Sequence, residues 1–141
     1  MAIKIDEFSI EDYDEVYALW RASEGLGLSD ADSREGIERF LQRNPVLSFV
    51  ARDGQEVVGA LLCGHDGRRG YIHHLAVSPS HRRQGIGKSL VSRTFYELMR
   101  MGIRKCHLFV FGDNEGAIQF WKKTGWSKRV ELMMMSQFTE D

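Results

Sequence analysis

Residues 71–90 read YIHHLAVSPSHRRQGIGKSL. An apolar strand pattern closes at Val77, Ser78-Pro79 breaks it, and Gly85 and Gly87 open a helical pattern. The first N–H groups of a helix lack backbone partners, and the helix dipole places partial positive charge there. Glycines let an anion approach those donors, and Arg82, Arg83 and Lys88 add full charges. Such a stretch predicts a phosphate or pyrophosphate cradle. A P-loop would need glycine where Arg82 stands. The dinucleotide fingerprint would need a third glycine at Leu90.

Outward from this stretch, 141 residues suit a single domain over 1–141 with a real core. Hydrophobic content is 43% and charged content 28%, ordinary for a globular protein. Nineteen Lys and Arg balance twenty Asp and Glu, so charge offers no argument for nucleic acid or a membrane surface as partner. No apolar run reaches transmembrane length, and MAIKIDEFSIEDYDE lacks a signal pattern, which makes the expectation cytoplasmic. Cys63 and Cys106 each fall in a strand pattern and read as buried thiols. Cys63, His65, His73 and His74 match no zinc spacing, so no metal is expected.

In chain order, Ile3, Ile5 and Phe8 alternate as a strand. Ser9 and Asp12 start a helix striped by Tyr13, Val16, Tyr17 and Trp20. A turn-rich break precedes a second helix from Ser33 to Arg43, ended by Asn44-Pro45. Asp53-Gly54 joins two strand patterns, Leu47–Arg52 and Val57–Cys63, into a hairpin, and a third strand carries His73 and His74. A helix from about Gly85 to Met101 follows, with Ile86, Leu90, Val91, Phe95 and Leu98 inward and Gly102 as its stop. Then come a strand over Ile103–Phe111, a helix through Ala117 and Trp121, and a final strand over Trp126–Phe138. The order β-α-α-β-β-β-α-β-α-β predicts a mixed α/β domain, with a parallel pair where the long helix crosses.

Arg82-x-x-Gly85-x-Gly87 after a strand ending Leu75-Ala76-Val77 resembles the pyrophosphate-binding motif of the GNAT superfamily of N-acetyltransferases. A second block, Asn114-x-x-Ala117-x-x-Phe120-Trp121-x-x-x-Gly125-Trp126, resembles that family's C-terminal block, and the element order covers essentially the whole chain. The resemblance implies the GNAT acyl-CoA N-acyltransferase fold and direct transfer of acetyl from acetyl-CoA to a primary amine. Leu75, Ala76 and Val77 would offer main chain to the pantetheine arm. Arg82, Arg83, Gln84, Gly85, Ile86, Gly87 and Lys88 would hold the pyrophosphate, with Asn114 and Trp121 also on the cofactor side. Alternation places Tyr71 and His73 on one face of their strand and Ile72 and His74 on the other.

Tyr71 and His73 match positions where family members face the cleft, so His73 is the first candidate base; a hydrogen-bonded structural histidine is the alternative. A bulge would present His74 instead. Trp121 stands where many members carry a tyrosine acid; an indole cannot serve as one, so Tyr71 or water would substitute. A second function class, a non-catalytic acyl-CoA-binding or sensing module, shares the same motifs, and a structural partner domain with a vestigial cradle is a third. Glu24, Asp30, Asp32 and Glu35 suggest a cationic acceptor, or simply a solvated loop. Met133-Met134-Met135 reads as a homodimer contact or as core packing.

Overall fold

The structure is a computed structural model that describes residues 2–23 and 25–140. The chain forms two compact units, the first ending at Phe109 and the second beginning at Val110.

The first unit is built on a five-stranded sheet in the order β1-β2-β3-β4-β5. The strands are β1 (Ile3–Glu7), β2 (Phe49–Asp53), β3 (Glu56–His65), β4 (Gly70–Val77) and β5 (Cys106–Leu108). The first four pair antiparallel in succession, and β5 lies parallel to β4, as expected where a helix crosses between them. Helices α1 (Tyr13–Arg21) and α2 (Arg34–Arg43) precede β2, and α3 (Ile86–Arg100) makes the crossover.

Alternation sorts the core into two faces. Val16 and Trp20 of α1 and Ile37 of α2 bury against Val50, Ala60, Leu62 and Ala76. On the other face a Cβ added at Gly59 would meet Ile86 and Leu90 of α3, at 3.1 and 3.3 Å. One added at Gly70 would lie 2.9 Å from Leu98. Glycine in β3 and β4 therefore brings α3 close to the sheet. Thr94 is fully buried on this face, and its hydroxyl donates to the Leu47 carbonyl at 3.0 Å. Phe95, expected inward, is 42% exposed. The stripe of α3 is centred one position earlier, on Thr94, whose polar group is buried with a partner.

Helix boundaries follow their caps. Ser33 accepts from the Gly36 N–H at 3.1 Å and starts α2 one residue later than expected. Gly102, at φ 80°, closes α3: its N–H donates to Met99 O at 3.0 Å, and the Ile103 N–H donates to Leu98 O at 3.0 Å. That is the double bond of a Schellman cap. It also explains why β5 is shorter than Ile103–Phe111. Ile103 is committed to the helix end, and ladder pairing with β4 runs only from Cys106 to Leu108.

The second unit holds α4 (Glu115–Lys123). The expected last strand, Trp126–Phe138, is a correction: no described residue after Gly125 is in a strand. A strand exists only as part of a ladder. The run Met133-Met134-Met135 lacks the period of two that would select a face and a register. Its side chains are 86%, 65% and 88% exposed, so they do not pack as core.

Candidate functional site

The site is organised by β4. Opposite β3 its register shifts: His74 pairs with Leu62 but Ile72 with Cys63, which leaves His73 as the extra residue of a bulge. The bulge overturns the simple alternation expected for this strand. Gly70 and Ile72 stay on the α3 side. His73, by contrast, meets Phe40 of α2 edge-on at 5.5 Å between ring centroids. His74 meets Trp20 of α1 at 4.8 Å. Both histidines thus face the α1–α2 side, together with Tyr71, whose ring lies 6.5 Å from that of His73.

The same bulge marks where β4 leaves β5. Pairing covers Gly70, Tyr71 and Ile72; among the described residues His73 is skipped by both ladders, and His74 to Val77 pair with β3 alone. Leu75, Ala76 and Val77 therefore present main chain along an unpaired edge. Leu75 and Val77 are half-buried and Ala76 is buried in the α1 core. The Arg82 Nε donates to the Val77 carbonyl at 3.2 Å and fastens the chain just past the strand.

Beyond a short helical turn (Pro79–His81) the backbone enters a left-handed passage, with Arg83 at φ 63° and Gly85 at φ 80°. Gly85 is the N-cap of α3. A non-glycine residue at positive φ is strained, so Arg83 is held there by its surroundings. His81 supplies one hold: its Nε2 lies 2.8 Å from Asp53 Oδ2, tying the loop to the β2–β3 turn. Among the described residues, the first N–H of this stretch with a main-chain acceptor is Ser89, on Gly85 O at 3.0 Å. The preceding donors of Ile86, Gly87 and Lys88 point away from the helix body. An atom added as a Cβ at Gly85 would meet nothing within 4 Å, so the space before the loop is open. Unpaired N–H groups, an open approach and the charges of Arg82, Arg83 and Lys88 suit a pyrophosphate group.

Electrostatics separate the two histidines. Partial desolvation, and then the charge of His74, lower the proton affinity of His73, with Asp32 opposing, although the residue is exposed at the surface. Asp32 Oδ1 lies 2.8 Å from His74 Nε2, and both side chains are buried. Burial alone would raise the Asp32 pKa, but hydrogen bonds from His74 and the Ser29 N–H hold it below its usual range. The acidic-loop expectation is corrected here, because the Asp32 carboxylate is committed inside the protein. Asp30 and Glu35 are exposed, and Glu24 lies outside the described residues. The Asp32–His74 and Asp53–His81 pairs, 42 and 28 residues apart, had no signal in spacing. The Ser29-x-x-Asp32 pattern of a capping box is a local signal for the inward turn of Asp32, but not for its partner.

Hydrogen bonding to Cys106, with burial, pushes the Cys63 thiol up, which leaves it a poor nucleophile. Among the described residues no group of three His, Cys, Asp or Glu is arranged to hold a metal ion. None of the described helices is long and apolar enough to cross a membrane. Asn114 and Trp121 belong to the second unit. Asn114 caps α4, its Oδ1 accepting from the Ala117 N–H at 3.2 Å. Trp121 packs edge-to-face against Phe120 and Trp126, with centroids 5.0 and 5.1 Å away.

Comparison with known proteins gives the same picture. Residues 13–126 match the model of the acetyltransferase (GNAT) family. The chain is 33% identical to an acetyltransferase of Sodalis glossinidius over 135 residues, 96% of this chain and 94% of that one. It is 37% identical to an acetyltransferase of Pectobacterium atrosepticum over 123 residues, 87% and 85% of the two chains. Among solved structures it is similar to Ard1 from Thermoplasma volcanium, with a TM-score of 0.78, 26% identity and coverage of 89% and 82%. It also resembles the PaiA N-acetyltransferase from Thermoplasma acidophilum in complex with coenzyme A, with a TM-score of 0.81, 22% identity and coverage of 90% and 91%. The bulged fourth strand, the glycine-capped third helix and these matches lead to one conclusion: the chain belongs to the GNAT acetyltransferase family.

Proposed function

We propose that this protein is an acetyl-CoA-dependent N-acetyltransferase acting on a primary amine. The observation that carries the reading is the unpaired edge of β4, from His73 to Val77, leading into the Gly85-capped start of α3. An extended thioester arm would add to that edge as a strand does, through the main chain of Leu75, Ala76 and Val77. The N–H groups from Arg83 to Lys88 would hold the pyrophosphate, with Arg82 fixing the turn between the two. Acetyl-CoA, when bound, supplies the acetyl group as a thioester open to attack by an amine.

The acceptor must shed a proton. For an alkyl amine of pKa about 10.4, neutralisation at pH 7 costs roughly 4–5 kcal/mol. His73, kept unprotonated at neutral pH by its lowered proton affinity, is the base we assign to that proton. It stands at the point where β4 turns from the paired to the free edge, with Tyr71 beside it on the same face. The Tyr71 hydroxyl or a water serves as the proton source for the departing thiolate. Aminoglycoside enzymes and a peptide-bound complex occur among the structural neighbours, and both acceptor types carry amines.

Calorimetry with acetyl-CoA and with free coenzyme A tests the cradle, and thiol release over a panel of amines tests the transfer. Micromolar binding, about −8 kcal/mol, with release dependent on one class of amine is expected. Binding without release on any amine would favour an acyl-CoA sensor, and no binding to a folded sample would refute the reading.

A further inference from the structure

The bulge in β4 does more than move His73. It turns His74 inward, onto a carboxylate carried by a different part of the chain. Asp32 ends a short helical turn (Asp30–Asp32) in the connection between α1 and α2. Its position is over-determined: Oδ2 accepts the Ser29 N–H at 3.0 Å, and its main-chain oxygen accepts the Tyr13 hydroxyl at 2.6 Å. Oδ1 then lies 2.8 Å from His74 Nε2. The other nitrogen, His74 Nδ1, is buried with no hydrogen-bond partner in the structure, as is Nε1 of Trp20, the ring against which His74 packs. An unpartnered buried polar atom carries the desolvation penalty of its group with nothing to offset it. A plain structural contact at this place would be better made by an apolar side chain.

We propose that Asp32 and His74 are positioning residues for acetyl transfer. The pair fastens the α1–α2 connection to β4 at its bulge and turns His73 past Phe40 toward the acceptor side. The proposal rests on the reading of His73 as base. The mechanism is geometric first. With His74 anchored inward on Asp32, the extra residue of the bulge has one side left to occupy, where Phe40 bounds it. Charge follows from the same arrangement. The titratable groups facing His73 are Asp32 from the connection, and His74 and Tyr71 from β4; α2 presents the Phe40 ring. Asp32 and His74 act on His73 with opposite sign, Asp32 raising its proton affinity and His74 lowering it, so each partner's effect stands alone when the other is removed.

The test is an NMR titration of the full-length protein with labelled histidines, comparing the parent with Asp32→Asn and His74→Gln. Removing the carboxylate charge is expected to lower the His73 midpoint, and removing the imidazole to raise it. Each shift should fall short of the roughly 1–3 units of a charge in direct contact. The ring-to-ring NOE between Phe40 and His73 is expected to weaken in both variants. Opposite shifts report the two charges, and the weakened NOE reports the positioning; shifts of the same sign, or an unchanged NOE in both variants, would overturn the proposal. Should either variant fail to fold, the parent decides. Long-range proton–nitrogen correlations should show His74 protonated on Nε2, the nitrogen that faces the carboxylate, and a bare Nε2 would overturn the pairing. Failure of the acyl-transfer reading would register separately, as absence of acetyl-CoA heat in a parent whose histidines behave as described.

Discussion

Replacing Gly85 with valine isolates the cradle from the rest of the fold. Gly85 sits at φ 80° as the N-cap of α3, and a Cβ there would meet no atom within 4 Å. The substitution therefore acts through backbone conformation and not through a clash. An L-residue in the left-handed region costs roughly 1–2 kcal/mol, and a β-branched one more. Valine can accept that strain or leave the left-handed region and rotate the N–H groups of Ile86, Gly87 and Lys88. Losing two hydrogen bonds to a charged ligand forfeits about 3–6 kcal/mol, on the scale of about 1.5–3 each. At about 1.4 kcal/mol per tenfold, that is roughly 10²–10⁴ in affinity. Gly54→Val provides the control. Gly54 lies at φ 62° in the β2–β3 turn, also with no atom within 4 Å of an added Cβ. Both variants should lose several degrees of melting temperature, while Gly85→Val alone should lose acetyl-CoA binding by calorimetry. A cooperative melt combined with unaltered affinity in Gly85→Val would remove the cradle from the mechanism.

Other perturbations address the rest of the structure. The lowered proton affinity of His73 means the unfolded chain binds its proton more readily than the native one does. Its contribution to stability is then fully present above its ordinary value of 6.5 and declines as pH falls through that value toward the lower native one. Urea melts should show a shallower loss between neutral and mildly acidic pH in His73→Gln, and an identical slope would contradict the partial desolvation of the ring. Gly64→Ala places a Cβ 2.7 Å from the Phe40 ring and 2.8 Å from the Asn44 amide, which is itself held by the His65 N–H at 3.1 Å. A cost of about 1–3 kcal/mol is expected from denaturant melts, and neutrality would show that the end of α2 yields. Thr94→Val strands the buried Leu47 carbonyl and should cost roughly 1–3 kcal/mol by the same measurement. Trp121→Tyr keeps a ring against Trp126 and is expected to preserve the melting temperature, with turnover equal to or above the parent's. A collapse of folding would show that the indole is required for packing.

Local chemistry made most of the fold legible. Asp53-Gly54 announced its hairpin, Ser33 and Asn114 their helix starts, and Gly102 the end of α3, because each acts through its own neighbours in the chain. The glycine motif belongs to the same class: Arg82, Gly85 and Gly87 are close in sequence and lie together at one helix start. The last strand was not legible, since pairing depends on a partner and Met133-Met134-Met135 offers no alternation by which to infer one.

What sequence alone determined is thus the run of elements as far as α4, the glycine cap that starts α3 and the family to which the chain belongs. Tertiary structure decided which histidine faces what. One extra residue at His73 breaks the period of two, so His73 and His74 share a face that alternation would have divided between them. It also joined Asp32 to His74, 42 residues away, and Asp53 to His81. Neither pairing has a local cause. Each exists because the sheet and its helices bring distant segments within hydrogen-bonding distance, where burial makes a partner for every charge necessary.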